Sequence, residues 1–178
     1  MTTDDTVLVL IDVQGKLAEA MDGRERLYDA LQRLVKGCRV LELPVIWMEQ
    51  IPDKMGPTID PLRELLAEQA PISKCAFSCF GEPAFLDRLK TTGRTNVLLA
   101  GIETHVCVYQ TARDLVDSGC VVQVVADATS SRTAENRAIG LERIRSAGAS
   151  ITSVETILFE LMRTAEHPAF RDILRIVK

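Results

Sequence analysis

Short continuous apolar runs, each followed by a stretch of helical periodicity, recur along this chain and constrain its fold more than any other feature. TVLVLIDV (Thr6 to Val13) has strand length. Arg24 to Leu43 follows, with Leu27, Leu31, Leu34 and Val35 at helical spacing. Pro44 then opens PVIWMEQ. In the second half, TNVLLAGI leads into a helix ending near Ser118. VVQVVADA leads into one from about Thr133 to Ala147, closed by Gly148, and ASITSVETIL reads as a strand before a last helix. A strand that is apolar at successive positions must be covered on both faces, which implies a parallel sheet between two helical layers.

The expected fold class is therefore α/β: a three-layer α/β/α, Rossmann-like architecture with a parallel six-stranded sheet of order 3-2-1-4-5-6. At 178 residues the chain suits one domain, residues 1-178. A net charge of -4 and a pI near 5.3 argue against nucleic acid or an anionic membrane as partner, since either needs a clustered basic face. MTTDDTVLVLID has no basic residue before its apolar stretch, which stops at Asp12, far short of the roughly 18 apolar residues of a membrane span. The five cysteines form no CxxC pair and no close-spaced framework. Reduced thiols in a cytoplasmic protein are the expectation.

In an open parallel sheet, ligands bind beyond the carboxyl ends of the strands, at the point where strand order reverses. That rule directs attention to Asp12 after the first strand, Glu49 and Gln50 after the second, and Lys74 in the irregular middle. Cys107, in the helix after TNVLLAGI, and Asp127, after VVQVVADA, complete the set. With order 3-2-1-4-5-6, Asp12 and Cys107 face each other across the switch point.

Each of these residues also has a plain structural reading. Asp12 can cap a helix, Lys74 can be a surface lysine with a buried stem, and Cys107 can be a small core residue. Together they make a chemical set. A helix N-terminus and a nearby cation both favour the thiolate, and a carboxylate can take the thiol proton and later return it to a leaving amine. His105 is two residues from Cys107, a spacing at which helix side chains do not face each other, so a Cys-His dyad is the weaker reading. His105 is instead expected as a pocket wall or cap, and His167 is placed in the last helix. Cys75 and Cys79 have one-turn spacing but lack the second pair of a metal site, and no glycine-rich phosphate loop follows any strand. No metal and no other cofactor is expected.

Four motifs give the chain a resemblance to the isochorismatase-like cysteine hydrolases, the superfamily that includes nicotinamidases and N-carbamoylsarcosine amidohydrolase. They are LIDVQ with Asp12 and Gln14, the lysine of ISKCAFSCF, GIETHVCVYQTA, and VVADATSSR followed by a helix and GASITSVETIL. The resemblance covers nearly the whole chain. It implies a catalytic triad of Asp12, Lys74 and Cys107, a cis peptide at Ile102-Glu103, and an oxyanion hole formed by the backbone N–H groups of Glu103 and Cys107. The chain departs from nicotinamidases in having no histidine between Asp12 and Lys74, and from true isochorismatases in having the cysteine. EQIPDKMGPT with GIETHVCV resembles the isochorismatase domain-containing branch most.

The expected function is metal-independent hydrolysis of a C–N bond in a small amide or carbamoyl-type substrate through a thioester. Gln14, Trp47, Phe77, Phe80 and His105 are the expected pocket residues. The expected partners are a small-molecule substrate and further copies of the chain in a homo-oligomer, with no nucleic acid and no membrane. Two readings stand beside this one. ETILFELMRTAEHPAFRDILRIVK carries enough apolar residues to pack on another subunit, as a self-assembling scaffold would require. A reactive thiolate at Cys107 could also act as a redox sensor.

Overall fold

A computed structural model describes residues 1–178. In chain order its elements are β1 (Thr6–Ile11), α1 (Gly15–Glu19), α2 (Arg24–Val40), β2 (Val45–Gln50), α3 (Pro52–Met55), α4 (Asp60–Leu65), β3 (Ile72–Lys74), α5 (Pro83–Thr92), β4 (Asn96–Ile102), α6 (Tyr109–Asp117), β5 (Val121–Ser130), α7 (Ala134–Ser146), β6 (Ser150–Thr152), α8 (Val154–Met162) and α9 (Phe170–Val177). All six strands are parallel and lie in the order β3-β2-β1-β4-β5-β6, as the alternating pattern implied.

The central strand β1 shows why the sheet is sandwiched. Leu8 and Leu10 point into a core shared with α2, α8 and α9, while Val7, Val9 and Ile11 point into a second core against α5, α6 and α7. Every residue of β1 is fully buried. Burying each of these aliphatic side chains contributes about 1.5–3 kcal/mol, so a polar residue at either face would be costly. The chain turns polar at Asp12, where the sheet ends.

ASITSVETIL departs from its expected form as a strand. Only Ser150–Thr152 is extended, because the Ser153 side chain accepts a hydrogen bond from Thr156 N and caps α8. Val154, Ile157, Leu158, Leu161 and Met162 then fall at helical spacing and are buried. These residues, with Ile173 of α9, pack on α2 within their own chain, and Phe159 meets Phe170 edge to face at 6.4 Å. The apolar content of the last segment is thus largely consumed internally. His167 lies in the turn between α8 and α9, not in a helix, and its Nδ1 accepts from Ala169 N. No helix is long and apolar enough to cross a membrane.

Candidate active site

The carboxyl ends of β1, β3 and β4 deliver Asp12, Lys74 and Cys107 to one place. Asp12 follows β1 with a left-handed backbone (φ 54°), a conformation that aspartate tolerates better than most residues, and this turns its side chain off the strand axis. Its Oδ2 receives Lys74 Nζ at 2.7 Å, with the two side chains 2% and 0% exposed. Oδ1 accepts no fully formed hydrogen bond, and the Cys107 thiol lies beside the carboxylate.

Lys74 Nζ is surrounded by acceptors. Besides Asp12 it donates to Gln50 Oε1 at 2.5 Å, to the Phe77 carbonyl at 3.1 Å and to the Ala76 carbonyl at 3.2 Å. The register explains the meeting of side chains: Gln50 and Lys74 are partners at the ends of β2 and β3.

Cys107 sits in a wide π-helical turn, Thr104–Val108, that precedes α6. The Glu103 carbonyl accepts from both Val106 N (3.1 Å) and Val108 N (3.2 Å), the second closing the wider ring. Such π segments are frequent at functional sites. The Ile102-Glu103 peptide is cis. The Glu103 amide donates to no backbone carbonyl, while its carboxylate accepts Arg132 N at 3.2 Å and Arg132 Nε at 3.1 Å. Two glycines let this turn approach the rest of the fold. A Cβ on Gly101 (φ +118°) would lie 2.0 Å from the Ile11 carbonyl oxygen, and one on Gly140 of α7 would lie 2.7 Å from His105 N.

The electrostatics differ from the expectation of a thiolate favoured at rest. Burial pushes the Cys107 thiol up, the Asp12 charge pushes it further, and Lys74 only partly offsets both. Burial likewise pushes the Asp12 carboxyl above its ordinary value, against the pull of Lys74. The resting site is a neutral thiol beside a carboxylate made more basic by dehydration. The sequence carries no signal of depth at position 107, so this correction required the fold.

The expected pocket residues divide. Phe77 is 57% exposed and its carbonyl binds Lys74, Phe80 is half-buried against the core around Cys107, and His105 Nδ1 is 2.9 Å from Ser131 Oγ. Trp47 does not face Cys107: it points into the core on the α2 side of the sheet, opposite Cys107, and its Nε1 donates to Thr58 Oγ1 at 2.8 Å. Gln14 is also unavailable to a ligand. It is fully buried, its Nε2 donates to the carbonyls of Gln50 (3.2 Å) and Gly56 (2.7 Å), and its Oε1 accepts Gln50 N (2.6 Å).

Two inspected strand ends serve the scaffold. Glu49 is buried and accepts Thr58 N and Oγ1, and Asp127, in a bulged part of β5, accepts Val154 N at the start of α8. No three His, Cys, Asp or Glu side chains converge in an arrangement that could hold a metal ion. The contact between Gln50 and Lys74 was not anticipated from the sequence. Strand register, which brings positions 50 and 74 side by side, was its only available signal.

Residues 6–156 match the isochorismatase domain family. The chain is 36% identical over 177 residues to isochorismatase domain-containing protein 2A of Mus musculus, covering 98% of this chain and 84% of that protein. It superimposes on a structure described as MAR1 ribonuclease from Caenorhabditis elegans with a TM-score of 0.93 and 35% identity, covering 99% of this chain and 91% of the other. The Escherichia coli YcaC product, described as an octameric hydrolase of unknown specificity, shares the fold with a TM-score of 0.89 at 21% identity, covering 98% of this chain and 94% of that one. The chain therefore belongs to the isochorismatase family, a family of hydrolase fold.

Proposed function

We propose that the protein is a metal-independent cysteine hydrolase that cleaves the C–N bond of a small amide or carbamoyl-type substrate. The observation that carries this reading is the buried Asp12–Lys74 pair beside the thiol of Cys107, with one carboxylate oxygen lacking a partner. Asp12 removes the thiol proton as the sulfur attacks the substrate carbonyl carbon. Lys74 offsets the negative charge that moves onto sulfur, and the amides of Glu103 and Cys107 receive the oxyanion. Asp12 then passes its proton to the leaving nitrogen as the C–N bond breaks, leaving a thioester. Water adds to the thioester, giving one proton to Asp12 and the hydroxyl to the acyl carbon. Departure of the thiolate, which recovers the proton from Asp12, restores the resting site.

The protein is further proposed to act in the cytoplasm as a homo-oligomer. The octameric description of the E. coli neighbour and the exposed Phe77 and Ile139 are consistent with assembly. The scaffold reading loses its main motive now that the last segment packs on its own α2. The redox-sensor reading is weakened by burial that holds the Cys107 thiol protonated.

The test is ammonia release from a panel of small amides and carbamoylated amines, with Cys107→Ala as the blank and an RNA substrate as a further arm. Release that is absent in Cys107→Ala supports the proposal. Equal release by the variant overturns covalent catalysis, and cleavage of RNA alone would move the substrate class to that named for the C. elegans neighbour.

A further inference from the structure

Gln50 is tied to this site at both ends of its side-chain amide and along its backbone. Its Nε2 donates to the Cys75 carbonyl at 2.7 Å and its Oε1 accepts Lys74 Nζ at 2.5 Å. A flipped amide would face NH2 with ammonium and oxygen with oxygen, so the orientation is fixed. Gln14 clamps the backbone of Gln50 through both its N–H and its carbonyl. The Lys74 ammonium, with three protons, therefore meets four acceptors, and its two shortest bonds run to Gln50 and Asp12.

Those two short bonds compete. Every increment of hydrogen bonding that the ammonium gives to a neutral amide is withheld from the Asp12 carboxylate, whose affinity for a proton falls as its own bond to a cation strengthens. We propose that Gln50 is a positioning residue that sets the basicity of Asp12 by holding a fixed share of the Lys74 ammonium. This inference rests on the assignment of Asp12 as the base that serves Cys107. Its consequence is chemical: a carboxylate bound to lysine without a competitor is a poorer acceptor for a thiol proton.

The competition predicts opposite effects for two replacements of similar length. Gln50→Met removes the competitor, lets the ammonium bind Asp12 more fully and weakens Asp12 as a base. Gln50→Glu makes the competitor anionic, draws the ammonium away and adds a like charge, so Asp12 becomes more basic. The ionisable groups around the site are Asp12 from β1, Glu49 from β2, Lys74 from β3, Cys79 from the turn against α6, and His105 in the turn of Cys107 itself. All of them are retained in both variants.

The readout is the rate of iodoacetamide reaction at Cys107 against pH, followed by mass spectrometry of its peptide so that exposed Cys75 does not interfere. In the wild type the rate should fall at acid pH as Asp12 takes up its proton. That acid limb should move to lower pH in Gln50→Met and to higher pH in Gln50→Glu, by roughly one unit each. A structural role alone would lower the melting temperature and leave the limb in place. Limbs that stay put, or move in the same direction, overturn the inference while leaving the triad standing. A wild-type profile with no acid limb overturns both, because Asp12 is then not the base. Either variant suffices should the other fail to fold, since each carries its own sign.

Discussion

Asp12 and Lys74 form an ion pair removed from water at both ends, 2.7 Å apart with side-chain exposures of 2% and 0%; every other ion pair in the protein has an end at the surface. Removing either partner strands the other. Lys74→Met and Asp12→Leu should each destabilise the fold by about 3–5 kcal/mol, whereas the double variant should lose clearly less than the sum. Urea unfolding of the three variants checks this. Additive losses would mean that the pair is not coupled in the folded state.

Gly140 of α7 backs the turn that carries Cys107. A methyl group there would press on His105 N and Cα and on the Thr104 carbonyl carbon, at 2.7–2.8 Å, and all three are main-chain atoms that cannot rotate aside. Gly140→Ala should therefore cost about 1–3 kcal/mol and displace the thiol from Asp12. The variant should show a lowered melting temperature together with slowed alkylation of Cys107. Unchanged alkylation would show that the turn moves as a rigid unit.

Trp47 stands on the side of the sheet away from Cys107, so its role is stability. Its Nε1 donates to Thr58 Oγ1, and Thr58 in turn donates to Glu49 through both N and Oγ1. Trp47→Phe removes one buried hydrogen bond and leaves a gap, at a cost of about 1–3 kcal/mol. Unfolding should register this loss, while KM for whichever amide the panel identifies should stay at its wild-type value. A raised KM would bring Trp47 back to the substrate.

Cys38 and Cys79 are fully buried, and burial pushes each thiol from 9.0 up to about 12. An unfolded chain sheds these protons near pH 9, but the folded chain retains them to about 12. The stabilising contribution is thus complete below pH 9 and is lost as pH rises from there towards 12. Melting temperature should decline across that window, with a shallower decline in Cys38→Ala. In native protein at pH 8, Cys75 should react with Ellman's reagent at once, and Cys38 and Cys79 only after unfolding.

Much of this molecule was legible in the order of its residues. Unbroken apolar runs such as TVLVLI can be satisfied only between two layers, and the alternation of strand and helix leaves few ways to arrange them. Asp12 and Lys74, at strand ends, could be named as candidates because polarity returns where each strand leaves the core, and GIETHVCVYQTA pointed to Cys107 by resemblance. ASITSVETIL misled because its mixed apolar and polar residues read as a strand along their whole length, and the Ser153 cap decided where the helix begins.

Tertiary structure decided what depends on neighbours distant in sequence. It placed Trp47 behind the sheet although Trp47 lies only three positions from Gln50, because strand alternation reveals that there are two faces and not which of them the site occupies. It turned Gln14 from a ligand contact into a clamp and brought Gln50 onto Lys74 through the register of β2 with β3. It also set the protonation of Cys107. The proton affinity of a group depends on how much water and how many charges surround it, and those surroundings exist only once β1, β3 and β4 have converged.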